Sequence, residues 1–141
     1  VVCLIFVACS EEIQPLKTLQ KGMPNTIILS TGDVVYDLTG EWETINRSSL
    51  GKSGTICKIT QQGNKFVGIS TIQTPFADKG SEVIKGVLEK NGFKSVKINA
   101  TSWSWMPSVG KIDDGCNKIV VKTREGRGTG APTGTTTLTR K

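Results

Sequence analysis

The feature that most constrains this chain is a series of short β-type runs, separated by turn residues, that begins at Thr39. Apolar residues recur at every second position within the runs, as in Val96, Ile98 and Ala100. Such alternation is typical of strands with one buried and one solvated face. A sustained helical stripe is missing from the sequence. The predicted strands cover residues 40–45, 55–60, 65–71, 82–89, 93–105, 116–123 and 135–140.

Turn residues between these runs indicate hairpins. Gly63-Asn64 joins two β-prone runs, and Asn91-Gly92 is the residue pair that a type I′ turn favours. Seven or eight antiparallel strands in roughly 100 residues predict an all-β fold, an up-and-down barrel that is closed or nearly closed. A two-sheet β-sandwich is the alternative.

The start of the chain has a different character. Residues 1–8 are uninterruptedly apolar and stop at Cys9. A helix of this length spans only about 12 Å, too short for a bilayer, but the run fits the apolar region of a secretory signal. Phe6-Val7-Ala8-Cys9 resembles a bacterial lipobox, which implies that Cys9 is acylated and becomes the new N-terminus. The alternative is that Cys3 and Cys9 are buried thiols of an N-terminal strand.

These observations predict three segments: the end of a lipoprotein signal peptide (1–8), a lipidated tether and lead-in (9–38), and a β-barrel domain (39–141). The acyl chains would bind the protein to a membrane. The expected location is therefore the cell envelope, as an exported lipoprotein of the outer membrane or cell surface. Within the lead-in, residues 26–29 and 34–36 are short apolar runs that predict an edge strand or a lid over one barrel end.

Export also bears on the cysteines. If Cys3 leaves with the signal and Cys9 carries lipid, Cys57 and Cys116 remain. Two thiols in an exported chain predict one disulfide, which would stabilise the fold by roughly 4 kcal/mol in the chain-entropy model. Two separate buried thiols are the alternative.

The motif Gly40-Glu41-Trp42 on the first barrel strand and Thr139-Arg140 on the last resemble the paired signature of the lipocalin and avidin-type (calycin) barrels. The resemblance covers about residues 38–141 and is closest to the small lipocalin-like domains of bacterial lipoproteins. It implies that Trp42 closes one barrel end and that Arg140 lies across its ring, a pairing worth about 0.5–2 kcal/mol. The chain is shorter than the larger lipocalins and lacks a recognisable C-terminal helix, so the resemblance does not fix the size of any cavity.

Composition excludes most catalytic chemistry. The chain has no histidine, which removes Ser-His-Asp and Cys-His nucleophile systems and His-ligated zinc. Glu41 and Glu43 are paired carboxylates that could perform acid/base chemistry, but they share a strand face that points away from Trp42. Asp113-Asp114-Gly115 is typical of a turn and lacks the six or more oxygen ligands of a calcium site. We therefore expect a non-enzymatic protein with no catalytic residue, metal or cofactor.

The net charge of +6 raises the question of an anionic partner. The lysines are distributed through the strand runs, and no RNA-binding aromatic motif accompanies them. This pattern favours a solvated basic exterior and argues against nucleic acid as a partner.

Trp103 and Trp105 are the candidate ligand-binding residues, because positions i and i+2 of a strand share one face. They could bind a small apolar or amphiphilic ligand or a glycan at one barrel end; alternatively, they pack in the core or cover a barrel end. The second functional hypothesis is an envelope interaction or inhibitor protein that docks through loops 46–54, 73–81 and 124–134. A filled interior would favour it, and the residues expected to fill the barrel are Trp42, Phe66, Leu88, Val96, Ile98 and Val121.

Overall fold

A computed structural model describes residues 19–48, 51–100, 103–123 and 134–141, and it confirms the predicted all-β fold. Two short strands, β1 (Thr26–Ile28) and β2 (Val34–Tyr36), pair with each other. Eight longer strands form a closed antiparallel barrel. They are β3 (Gly40–Ser48), β4 (Gly51–Gln62), β5 (Lys65–Ser70), β6 (Glu82–Glu89), β7 (Gly92–Ala100), β8 (Trp103–Ile112), β9 (Lys118–Thr123) and β10 (Gly134–Arg140).

The barrel has simple up-and-down connectivity. Each strand from β3 to β9 pairs with the next strand in sequence, and β10 pairs with both β9 and β3. The last pairing places Arg140 directly opposite Trp42. Closure leaves no unpaired strand edge in the barrel, so the sheet is not open to edge-to-edge association.

Several strand bounds differ from the sequence prediction: β3 and β4 are longer than predicted, and β9 begins at Lys118 and not at Cys116. The largest difference concerns the run 93–105. The run 93–105 was expected to be a single strand that ends before Pro107, whereas the structure divides it between β7 and β8. Strand β8 continues through Pro107 to Ile112, with Pro107 paired to Lys97. The solvent-exposed ring of Pro107 is accommodated on the outer face. The turn between β7 and β8 carries no Asn-Gly pair, so the sequence offered little to divide the run.

The interior is filled by alternate residues of the strands. The six residues expected to fill it are all buried, as are Ile59, Ile84, Ile119 and Leu138. A barrel of eight strands is just wide enough for its own side chains or for one small ligand. The described core is therefore aliphatic and aromatic over most of the barrel length.

The two ends of the barrel differ. The turns between β4 and β5, β6 and β7, and β8 and β9 form one end, which also contains Trp42 and Arg140. We call it the sealed end, because the lead-in covers it. Hydrogen bonds connect the lead-in to β4 through Gln61 and to the β8–β9 turn through Gly115. The opposite end, from which the β3–β4, β5–β6, β7–β8 and β9–β10 connections leave, is called the distal end.

The lead-in is part of the core and not only a tether. Leu19, Val35, Tyr36 and Leu38 are at most 6% exposed and belong to the same apolar cluster as Trp42. This agrees with the expectation that residues 34–36 act as a lid over one barrel end. Residues 1–18, including the candidate acylation site Cys9, lie outside the described part of the chain.

The predicted disulfide is wrong for this structure, in which Cys57 and Cys116 are free buried thiols. The two thiols have separate environments, as in the alternative considered above. Cys57 lies on β4 with its Sγ 3.5 Å from Thr44 Oγ1. Cys116 lies in the β8–β9 turn at the sealed end, where its Sγ contacts Arg140 Nη2 and the Asp37 carbonyl.

Candidate functional site

The sealed end is organised around Arg140 and Trp42. The guanidinium carbon lies 4.4 Å from the centroid of the indole ring, within the range of a cation–π contact. Trp42 is fully buried, and its Nε1 donates a hydrogen bond of 2.8 Å to the Leu38 carbonyl. The lead-in is thus fixed to the ring that closes the barrel.

Arg140 also joins the end of β10 to two other chain segments, the lead-in and the β8–β9 turn, by hydrogen bonds. Its Nε donates to the Cys116 carbonyl at 3.0 Å, and its Nη1 and Nη2 donate to the Thr39 and Asp37 carbonyls at 2.9 and 3.0 Å. The planar guanidinium presents several donors in fixed directions, which a lysine cannot reproduce. These contacts give Arg140 a structural role.

Gly40 of the Gly-x-Trp motif is tied to the same arginine. Its φ of +135° is unfavourable for side-chain-bearing residues, and an added Cβ would lie 3.2 Å from Arg140 Nη1. The motif therefore has a direct physical reason: the glycine leaves room for the guanidinium that covers Trp42.

The distal half of the interior is polar along one wall. Thr44, Thr55, Ser70, Thr123 and Thr136 are all buried there. Four of these hydroxyls have partners: Thr44 Oγ1 lies 3.5 Å from Cys57 Sγ, Thr55 Oγ1 lies 2.5 Å from Ser70 Oγ, and Thr136 Oγ1 donates to Asn46 Oδ1 at 2.9 Å. Hydrogen bonding keeps these buried groups satisfied, so the wall is a stable lining.

Closer to the distal end than these buried hydroxyls, the inward-facing residues are partly exposed to solvent. Asn46, Ser53 and Ser108 are half-buried, and strand pairing places Asn46 beside both Ser53 and Thr136. The facing wall is aliphatic: Ile84 and Ile98 are buried, and the half-buried Met106 is paired with Ile98. We call Asn46, Ser53, Met106 and Ser108 the distal mouth. None of these four residues is charged.

The mouth has the chemistry for an uncharged ligand with a polar and an apolar side. Hydroxyl and amide groups can donate and accept hydrogen bonds, while the aliphatic wall offers dispersion contacts. A charged ligand would lose its hydration there without a charge partner among the described residues of the mouth.

The structure does not place Trp105, one of the two predicted ligand-binding tryptophans, in the distal mouth. Met106 is paired with the buried Ile98, so alternation places Trp105 on the outer face of β8. There the ammonium of Lys85 lies 4.2 Å from the Trp105 ring centroid. The Trp103 side chain lies outside the described residues. The four mouth residues belong to no sequence motif, so nothing in the sequence indicated that they would lie together.

Neither described thiol is suited to nucleophilic chemistry. Burial raises the pKa of Cys57, although the hydrogen bond with Thr44 acts in the opposite direction. Burial also raises the pKa of Cys116, against the lowering effect of Arg140. Reactive cysteines require a depressed pKa and access to solvent. No cluster of metal-binding side chains is found in the parts of the chain that the structure covers.

Comparisons with known proteins give no family for the chain: no protein-family model matches it, and no curated protein is found as a relative. The closed eight-stranded antiparallel barrel is compatible with a lipocalin-like architecture. Among the described residues, no helix has the length and apolar character needed to span a membrane.

Proposed function

We propose that this protein is a non-enzymatic binding module of the cell envelope that holds a small amphiphilic ligand or glycan in the distal mouth. The observation that carries the proposal is the asymmetry of the barrel. One end is closed by the lead-in, Trp42 and Arg140, and the other presents an uncharged mouth with one polar and one aliphatic wall. A neutral sugar has this combination of hydroxyls and apolar C–H faces, and it is the ligand class we favour.

The depth of the site follows from the burial of the wall. Thr44, Thr55 and Thr136 are at most 4% exposed, so they form the bottom of the mouth and not part of its opening. The ligand would therefore bind in a shallow site at the level of Asn46, Ser53 and Ser108. In this proposal Trp105 is not a ligand residue, which revises the sequence-based hypothesis.

The test is native mass spectrometry of the protein purified from its host, with a blocking variant and a matched control. Ser53→Phe adds a ring to the mouth, whereas Ser95→Phe adds the same ring on the exposed outside of β7. We expect a retained ligand mass in the wild type and in Ser95→Phe, and its loss in Ser53→Phe. If the wild type retains nothing and saturation-transfer NMR detects no contact with neutral sugars, the proposal is wrong.

Membrane anchoring through Cys9 is a second part of the proposal. The lipobox-like residues 6–9 support it. The early lead-in lies at the sealed end, where Asn25 Nδ2 donates a hydrogen bond to the Gly115 carbonyl. An acyl anchor before Leu19 would then attach on the side of the sealed end and leave the distal mouth accessible. Labelling with a palmitate analogue in a bacterial host tests this: wild type should be labelled and Cys9→Ser should not.

The alternative function is an interaction or inhibitor module, and the filled interior favours it. All six residues expected to fill the barrel are at most 4% exposed. The connections at the distal end would then dock a partner protein. The predicted loop 46–54 is wrong in most of its length, because residues 46–48 and 51–54 belong to the paired strands β3 and β4. Residues 49–50 and 124–133 lie outside the described part, and residues 73–81 lie in the β5–β6 connection at the distal end.

A further inference from the structure

The outer face of β8 carries a stripe of apolar residues. Trp105, Pro107 and Val109 occupy successive outward positions along the strand. Pro107 is exposed, Val109 is 51% exposed, and Trp105 is half-buried under Lys85. Most exposed apolar residues are scattered singly, whereas these three are aligned.

Lysines flank this stripe on both sides. Lys97 of β7 is directly opposite Pro107, and Lys122 of β9 is directly opposite Val109. The next outward residue of β8 after Val109 is Lys111. We call this surface the basic face; its lysines are Lys85, Lys94, Lys97, Lys111, Lys118 and Lys122.

The positive charge of the basic face is largely uncompensated. Of its six lysines, only Lys85 forms a salt bridge with a described residue, at 3.9 Å to Glu82. Lys85 and Lys97 are also direct cross-strand partners, an arrangement of like charges that costs stability. The acidic residues described nearest to these lysines along the chain lie at strand ends or in turns. Glu82 and Glu89 are the first and last residues of β6, and Asp113 and Asp114 follow β8.

We propose that the basic face binds the surface of an anionic phospholipid bilayer. The apolar stripe would enter the headgroup region, and the lysines on either side would contact phosphates while their stems lie along the apolar surface. This inference does not depend on a ligand in the distal mouth or on acylation of Cys9. It describes a second membrane contact, made by the side of the barrel.

The shape of the basic face distinguishes a bilayer from a linear polyanion. Proteins that bind single-stranded nucleic acids combine a charged groove with stacking aromatics. Here the lysines form a two-dimensional grid over four strands of a convex barrel wall. The one described aromatic residue in the grid, Trp105, is half-buried with the Lys85 ammonium over its ring. A planar array of headgroups fits such a grid better than a strand lying in a groove.

The experiment measures partition of the full chain onto vesicles of phosphatidylcholine alone and of phosphatidylcholine with phosphatidylglycerol as one third of the lipid. The variant Lys97→Gln/Lys111→Gln/Lys122→Gln removes three charges from the basic face. The control Lys52→Gln/Lys58→Gln/Lys65→Gln removes three from exposed positions of β4 and β5. Because both proteins keep residues 1–18 and have the same net charge, any difference reports the position of the lysines.

We expect wild type to bind the anionic vesicles more tightly than the neutral ones. Each basic residue near an anionic membrane contributes roughly a fivefold factor, so the face variant should lose about a hundredfold in partition. The control should lose less than threefold. Equal losses in the two triple variants, or no preference of wild type for anionic vesicles, would overturn the proposal.

A charge-neutral variant tests the apolar stripe. Val109→Ser keeps every lysine and should weaken binding to anionic vesicles, because it removes apolar surface whose burial in the headgroup region favours binding. Thermal denaturation of each variant establishes that it is folded. If the wild type binds a DNA duplex or heparin at the same salt concentration but not the vesicles, the face recognises polyanions and the membrane proposal is wrong.

Discussion

At the scale of single residues, Arg140 determines how the barrel is closed. It combines a cation–π contact with Trp42 and hydrogen bonds to the Asp37, Thr39 and Cys116 carbonyls. The sequence indicated the pairing of Trp42 with Arg140 through the resemblance to calycin barrels. It did not indicate the three carbonyl partners, because backbone acceptors leave no trace in the residue types.

Arg140→Lys should lower the free energy of unfolding by about 2 kcal/mol. A lysine keeps the charge but leaves partly buried carbonyls without partners, and each unsatisfied group costs about 1–3 kcal/mol. Urea denaturation provides the measurement. Arg47→Lys, on the exposed outside of β3, is the matched control and should change stability by less than about 0.5 kcal/mol. Equal effects in both variants would show that Arg140 is an ordinary surface cation.

Stability should also fall as the pH rises above 9.0, the ordinary pKa of a cysteine thiol. Burial raises the pKa of Cys57 and Cys116 in the folded protein. Below pH 9.0 the thiols are protonated in both states; above it the unfolded chain loses its protons first, which favours unfolding. Chemical denaturation across this range should show a decline, and Cys57→Ala should have a shallower one. An unchanged slope in the variant would contradict the assignment.

At the scale of elements, the strands follow from alternation and turn chemistry. A turn was predicted at residues 90–92, and the structure has β6 ending at Glu89 and β7 beginning at Gly92. The predicted type I′ pair Asn91-Gly92 is wrong, because Gly92 pairs with Glu89 and Asn91 does not have a positive φ. Strand β8 was missed as a separate strand, because the predicted run 93–105 continued across the β7–β8 connection and ended at Trp105. Proline cannot donate a ladder hydrogen bond, but its exposed position outside the barrel is tolerated in this strand.

Gly86 tests the close approach of β6 and β7. A Cβ at this position would collide with the Ser95 carbonyl oxygen of the neighbouring strand. Gly86→Ala should therefore destabilise the protein by about 2 kcal/mol, since the backbones must separate. Gly115→Ala is the control, because the nearest atom there is the flexible Asn117 side chain. Similar unfolding midpoints for the two variants would refute the argument.

At the scale of the whole molecule, the barrel depends on a segment outside its own sheet. Leu19, Val35, Tyr36 and Leu38 of the lead-in are at most 6% exposed and belong to one apolar cluster with Trp42. Hydrogen bonds through Gln61 and Trp42 hold Tyr36 and Leu38 at the sealed end. The sequence divided the chain at residue 39, because its pattern changes there. Packing makes the lead-in and the barrel one apolar cluster.

Deletion of residues 1–38 should therefore destabilise the barrel severely, while deletion of 1–18 retains every described contact. Burying a large apolar side chain contributes about 1.5–3 kcal/mol, so loss of the four lead-in residues costs about 6 kcal/mol or more. That is comparable with the whole stability of a small domain. Circular dichroism and urea denaturation of both truncated proteins provide the comparison; equal stability would mean that the lid is dispensable.

The sequence by itself determined the all-β class and most of the antiparallel hairpins, because alternation and turn residues act over a few neighbouring positions; it favoured a barrel but left a β-sandwich as the alternative. Tertiary structure alone decided which distant residues meet. It separated Cys57 from Cys116, assembled the distal mouth from Asn46, Ser53, Met106 and Ser108, and gathered lysines that are scattered along the chain onto one face. The physical reason is closure: strand register around a barrel fixes which side chains share a face, and no local pattern encodes that register.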